Sequence, residues 1–187
     1  MNILLIQEMG RHEKNEEFRE ALNLKRSLDR IENVKATVWG LNYENFQIPF
    51  DEIIEDCDVV ILLENYDTGW VPNISKFKGL KIFWSIDSHC VLNQHIKTCN
   101  ENNIDLVLNA IESDGRHFAN QKTVYFPNAY PADLIYPLDI NKTIDVGFCG
   151  NINNRGQWIY SIPNVQVDVM KIGKDMVNVI NSYKIHF

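Results

Sequence analysis

The chain predicts an α/β fold, a doubly wound parallel sheet followed by a second, incomplete α/β unit. Three observations carry that reading. Short apolar runs alternate with amphipathic segments along the whole length, the sequence form of a parallel sheet covered by helices. The first run, residues 3–6, is apolar without interruption, as a strand buried on both faces requires. The alternation then restarts at Thr143, after a stretch carrying Pro127, Pro131 and Pro137. Proline fixes φ and drives the residue before it into extended geometry, so this connector is stiff and a new unit begins beyond it.

The elements follow in order. Residues 3–6 form the first strand. Residues 13–31 read as a helix, with Phe18, Ala21, Leu22 and Leu28 on one stripe and charges elsewhere. A strand at 35–41 follows, then a short helix at 50–56 that delivers the chain to a strand at 58–64. The fourth strand is 81–86, with a helix over 91–102, and the fifth is 105–109, with a helix around 113–120. A sixth strand at 123–126 completes a Rossmann-like domain ending near residue 138. Beyond it, 144–149 is a strand, 155–161 a helix stopped by Pro163, and 165–169 a strand. A short helix at 175–181 precedes a last strand at 183–187. The expected domains are 1–138 and 139–187, the second too short for a complete doubly wound domain of about 100–150 residues.

Composition narrows the function classes. The 187 residues are 45% hydrophobic with a net charge of −7, which disfavours nucleic acid and anionic membrane as partners. Cys57, Cys90, Cys99 and Cys149 show no CxxC spacing and read as buried thiols rather than a metal site. No charged-then-apolar leader precedes the first strand, and no apolar run approaches the roughly 20 residues of a membrane span. A cytoplasmic protein without a membrane segment is the expectation.

Candidate chemistry sits where strands end. Gly10 and Arg11 follow the first strand, where glycine permits close backbone approach. The loop is not GxGxxG, so a dinucleotide fingerprint is missing. Ser85-Ile86-Asp87-Ser88-His89 is the most polar strand exit. Asp87 and His89, two apart, would project to one side in extended geometry and could orient each other, bind a hydroxyl or transfer a proton. Equally, Asp87 or Ser88 could cap the next helix, with His89 an exposed loop residue. Asn128 lies between Pro127 and Ala129, and its amide can serve backbone or ligand. After the strand at 144–149, Gly150-Asn151 and then Arg155 form a loop of the kind that receives phosphate.

The Pro127-Asn128-Ala129 connector leading into the strand and the Gly150…Arg155 loop resembles the hinge of two-domain GT-B glycosyltransferases. The segments around Asp87 and from Asp105 to Ser113 are similar to those of the spore-maturation-protein-like members of the retaining superfamily. Those enzymes often carry proline where His89 stands and glycine where Ala129 stands. The resemblance implies an acceptor on the first domain, a nucleotide-sugar donor on the second, and sugar transfer in the cleft between them. It implies no metal and no cofactor beyond the nucleotide-sugar substrate. Asp87 and His89 would be catalytic, while Gly10, Arg11, Asn128, Gly150, Asn151 and Arg155 would bind substrate. The family's acidic donor-gripping residue would lie beyond residue 187, so the chain is expected to be inactive alone unless a partner chain completes the donor domain. The competing class is a non-enzymatic Rossmann-like binding module. A hydrolase built on Asp87, His89 and His95 is weaker, for want of a nucleophile elbow or HExxH spacing.

Overall fold

The computed structural model describes residues 1–129 and 131–187. They fall into two compact units, Met1–Met9 with Arg19–Ala129, and Gly10–Phe18 with 130–187.

The first unit is built on β1 (Asn2–Ile6), β2 (Lys35–Trp39), β3 (Val59–Leu63), β4 (Leu80–Ser85), β5 (Leu106–Asn109) and β6 (Lys122–Tyr125). They form one sheet in the order β2-β1-β3-β4-β5-β6, and every neighbouring pair is parallel. Parallel strands need crossovers, and here the helices cover both faces. α1 (Glu20–Leu28) lays Ala21, Leu22 and Leu28 on the face of Ile3, Leu5, Val38 and Ile61. α2 (Phe50–Ile54) and α3 (Ser88–Glu101) cover the opposite face, where Leu4, Ile6, Leu62, Phe83 and Val107 lie. All five residues of β3 are buried, each full side chain contributing about 1.5–3 kcal/mol. That is why β3 reads as an unbroken apolar run.

The helix expected over 13–31 is divided. Glu13–Phe18 is a 3-10 helix, Arg19 is extended (φ −63°, ψ 141°), and α1 starts at Glu20. The physical reason is that the two halves serve different units. Arg19 turns inward, 6% exposed, and donates from Nε to the Glu8 carbonyl at 3.1 Å. The helix expected around 113–120 is a 3-10 turn, Glu112–His117, with no buried residue to anchor a longer element. Of the cysteines only Cys99 is buried, and Cys90 is exposed on the first turn of α3.

The second unit holds a parallel three-stranded sheet, β7 (Ile144–Cys149), β8 (Gln166–Asp168) and β9 (Tyr183–His186), in the order β8-β7-β9. α4 (Gly156–Ile159) and α5 (Gly173–Ser182) complete it. The Tyr183 ring lies across Gly147, where an added Cβ would stand 2.3 Å from it. Gly173, at φ +58°, brings α5 so near the Glu13–Phe18 helix that a Cβ would lie 2.0 Å from the Lys14 carbonyl oxygen. The Lys14–Asp175 ion pair, 2.7 Å, closes the same contact. Among the described residues no helix is long and apolar enough to cross a membrane.

Candidate functional site

The register of the first sheet aligns three polar residues at the carboxyl ends of adjacent strands. Leu63 pairs with Trp84, so Glu64, just past β3, falls level with Ser85, and Ser85 pairs with Asn109. Side chains alternate along a strand, which places this row on the same face as Leu62, Phe83 and Val107, the face that α3 covers. His95 of α3, 3% exposed, meets the row edge-on to Phe83 at 5.1 Å. Its Nδ1 lies 2.9 Å from the Ser85 hydroxyl and its Nε2 lies 3.2 Å from Glu64 Oε2. The same Oε2 accepts the backbone N–H groups of Ile86 (3.0 Å) and Asp87 (2.7 Å). Asn109 donates to the Ile111 carbonyl, and its Oδ1 is buried without a partner among the described residues.

Glu64, His95 and Ser85 have the connectivity of a hydrolytic triad but not its access. Ser85 is fully buried, so no carbonyl can reach its oxygen and nucleophilic attack is excluded. The arrangement is instead a clamp joining the β3 exit to the turn between β4 and α3. Burial pushes the Glu64 carboxyl up, but the His95 hydrogen bond and the Asp87 and Ile86 amides outweigh it and hold the pKa below its ordinary value. Asp87 moves the other way, raised by partial burial and by the Glu64 carboxylate.

In this strand order the switch point, where an open α/β sheet ordinarily receives ligand, lies beside β1. Here it is filled from within. Glu8 N–H donates to Asn65 Oδ1 and Glu8 Oε1 accepts Tyr66 N–H, both at 2.7 Å. Gln7 donates to Glu20 (2.9 Å) and to the Glu64 carbonyl (3.2 Å). Beside it a cavity of about 350 Å³ opens between α3 and the loop that follows β3. Glu64, Leu62, Phe83, Val91 and His95 line its inner part, and Thr98, Lys97 and Glu101 its helix side. The loop is held at both ends. Trp70 packs 5.9 Å from Trp39 and 5.6 Å from Phe46, while Asn102 of the α3 C-terminus accepts the Ile74 N–H at 2.8 Å.

The sequence-predicted residues distribute over both units. Asp87 and Asn128 follow β4 and β6, on the carboxyl edge of the first sheet, and both are exposed. Asp87 immediately precedes α3 and His89 is its second residue. The extended geometry expected to place them on one side is therefore replaced by a helical turn, in which residues two apart diverge. Asp87 is the capping residue by position, without a side-chain capping bond. Gly10 and Arg11 belong to the second unit. So do Gly150, Asn151 and Arg155, which follow β7. There the Gly150 N–H donates to the Asp168 carbonyl at 3.1 Å. Arg155 Nη2 donates to the Asn151 carbonyl, and its guanidinium lies 5.3 Å over the Phe148 ring. The amides of Asn151 and Ile152 have no backbone partner among the described residues.

Glu64 was not among the predicted site residues; His95 entered only the weaker hydrolase reading, and Ser85 and Asn109 were read only as parts of polar strand exits, with no site role. Their signal was present as polar residues closing the apolar runs VVILL, IFW and LVL, together with a histidine one turn before Cys99 on the inner face of α3. Among the described residues no group of three or more His, Cys, Asp and Glu could hold a metal ion. No family model, curated protein or solved structure matches the chain.

Proposed function

We propose that the protein takes part in sugar transfer from a nucleotide-sugar, with the donor phosphates on the second unit and the acceptor on the first. The observation that carries this reading is the loop after β7. At the exit of a parallel strand it presents the open amides of Asn151 and Ile152, with the Arg155 guanidinium bound to the same loop. Backbone N–H groups and a guanidinium fork are the donors a diphosphate requires. On the first unit, the raised pKa of exposed Asp87 makes it a stronger base than an ordinary carboxylate, suited to accept a proton from an acceptor hydroxyl. His89 and Asn128 would then orient that acceptor.

Calorimetry with a panel of uridine-, guanosine- and adenosine-diphosphate sugars tests the donor assignment. One charge-assisted contact is worth about 1.5–3 kcal/mol, so Arg155→Ala should weaken binding roughly tenfold to hundredfold. A second reading, a non-enzymatic α/β binding module, has its own support. The Gly150 N–H is already taken by Asp168 and Arg155 is folded back onto its loop. Absence of binding across the panel would favour that module.

A further inference from the structure

The cavity beside α3 joins two properties that together select a ligand. Its lining is mixed: Leu62, Val71, Phe83 and Val91 supply apolar surface, and beside them stands the carboxylate of Glu64. Three donors converge on Glu64 Oε2, whereas Oε1 makes no hydrogen bond among the described residues. The other charges on the lining, Lys97 and Glu101, stand 3.8 Å apart with side chains 72% and 58% exposed, and answer each other. A half-buried carboxylate with an unused oxygen beside apolar surface favours a donor, most strongly a charged one. An anionic ligand would meet two carboxylates and one engaged lysine. The walls are fixed before any ligand arrives, by Trp70 against Trp39 and by Asn102 on the Ile74 amide.

We propose that this cavity binds a small organic cation, an ammonium group on a compact apolar body, with the ammonium donating to Glu64 Oε1. At about 350 Å³ the space lies at the small end of ligand pockets, so the body is of single-ring size. The inference does not rest on sugar transfer, because no nucleotide-sugar contact is assigned to this cavity.

Amide-resolved NMR titration of the full chain with benzylammonium, benzyl alcohol and benzoate tests it. Benzylammonium should give saturable shifts in α3 and in the loop after β3. Benzyl alcohol should bind at least about tenfold more weakly, as charge-assisted bonds exceed neutral ones, and benzoate should not bind. Glu64→Gln, which keeps an oxygen for the Ile86 and Asp87 amides, should erase the preference for the ammonium. Thr98→Trp should fill the space and abolish binding; it carries the test if Glu64→Gln fails to fold. Benzoate binding equal to that of benzylammonium would overturn the proposal. So would an undiminished preference in Glu64→Gln, retained binding in Thr98→Trp, or no saturable shift with any of the three probes.

Discussion

Glu64 is the residue on which the carboxyl edge of the first sheet turns. One oxygen receives His95 and two backbone amides, so protonation removes acceptor strength from three groups at once. Its folded pKa lies below the ordinary value. The resulting stability is therefore present above the unfolded carboxyl pKa of about 4.3 and is lost as pH falls through the folded value. Urea unfolding from neutral pH to about pH 3 should show wild type losing stability relative to Glu64→Gln, the two converging in acid. A constant difference across that range would mean that Glu64 is not held ionised by this network. His95→Ala would leave Ser85 without a partner and open a void beside Phe83. Denaturant titration should find it about 2–4 kcal/mol less stable, the sum of an unpaired buried polar group and a partial cavity. None of this was legible residue by residue. Glu64, Ser85 and His95 are separated by 21 and 10 positions, and only register and the pitch of α3 bring them together.

Individual elements were far more legible than their partners. The central strands were evident because a strand buried on both faces is built on an apolar run, as residues 3–6 of β1, all of β3 and residues 82–84 of β4 are. The break at Arg19 between the 3-10 helix Glu13–Phe18 and α1 was not, because Glu13 to Glu17 is polar throughout and packs against α5 rather than on a stripe continuous with α1. Gly173→Ala sets a Cβ against the Lys14 carbonyl at a backbone angle alanine resists. Hydrogen exchange in Glu13–Phe18 should accelerate strongly, while that of β1 and β3 stays unchanged. Equal acceleration in β3 would contradict the assignment of this segment to the second unit. Within β9, Tyr183 donates to Asp168 Oδ2 at 2.6 Å with its ring over Gly147. Gly147→Ala should therefore cost at least about 2 kcal/mol through overpacking, with partial recovery on adding Tyr183→Leu. Thermal melts of the single and double variants decide it, and a neutral Gly147→Ala would refute the close packing.

At the scale of the whole molecule, the alternation of runs revealed an all-parallel sheet and a second α/β unit, but not the order of the strands. That order follows from which crossover goes to which side of β1, and crossovers leave no mark on hydrophobic period. It matters for function because it places the switch point at Gln7 and Glu8, where the structure is closed by its own hydrogen bonds; the donor site proposed above is the loop after β7, in the other sheet. That loop was legible as a glycine followed by an arginine. Which of its amides are open was not, since it depends on Asp168 of β8 taking the Gly150 N–H. Titration of the isotopically labelled chain with uridine, guanosine and adenosine diphosphates addresses the donor assignment most directly. The account predicts that the amides of Asn151 and Ile152 and the Arg155 side chain shift first and saturate together. Saturable shifts confined to the first unit, or none at these three residues with any of the nucleotides, would contradict it.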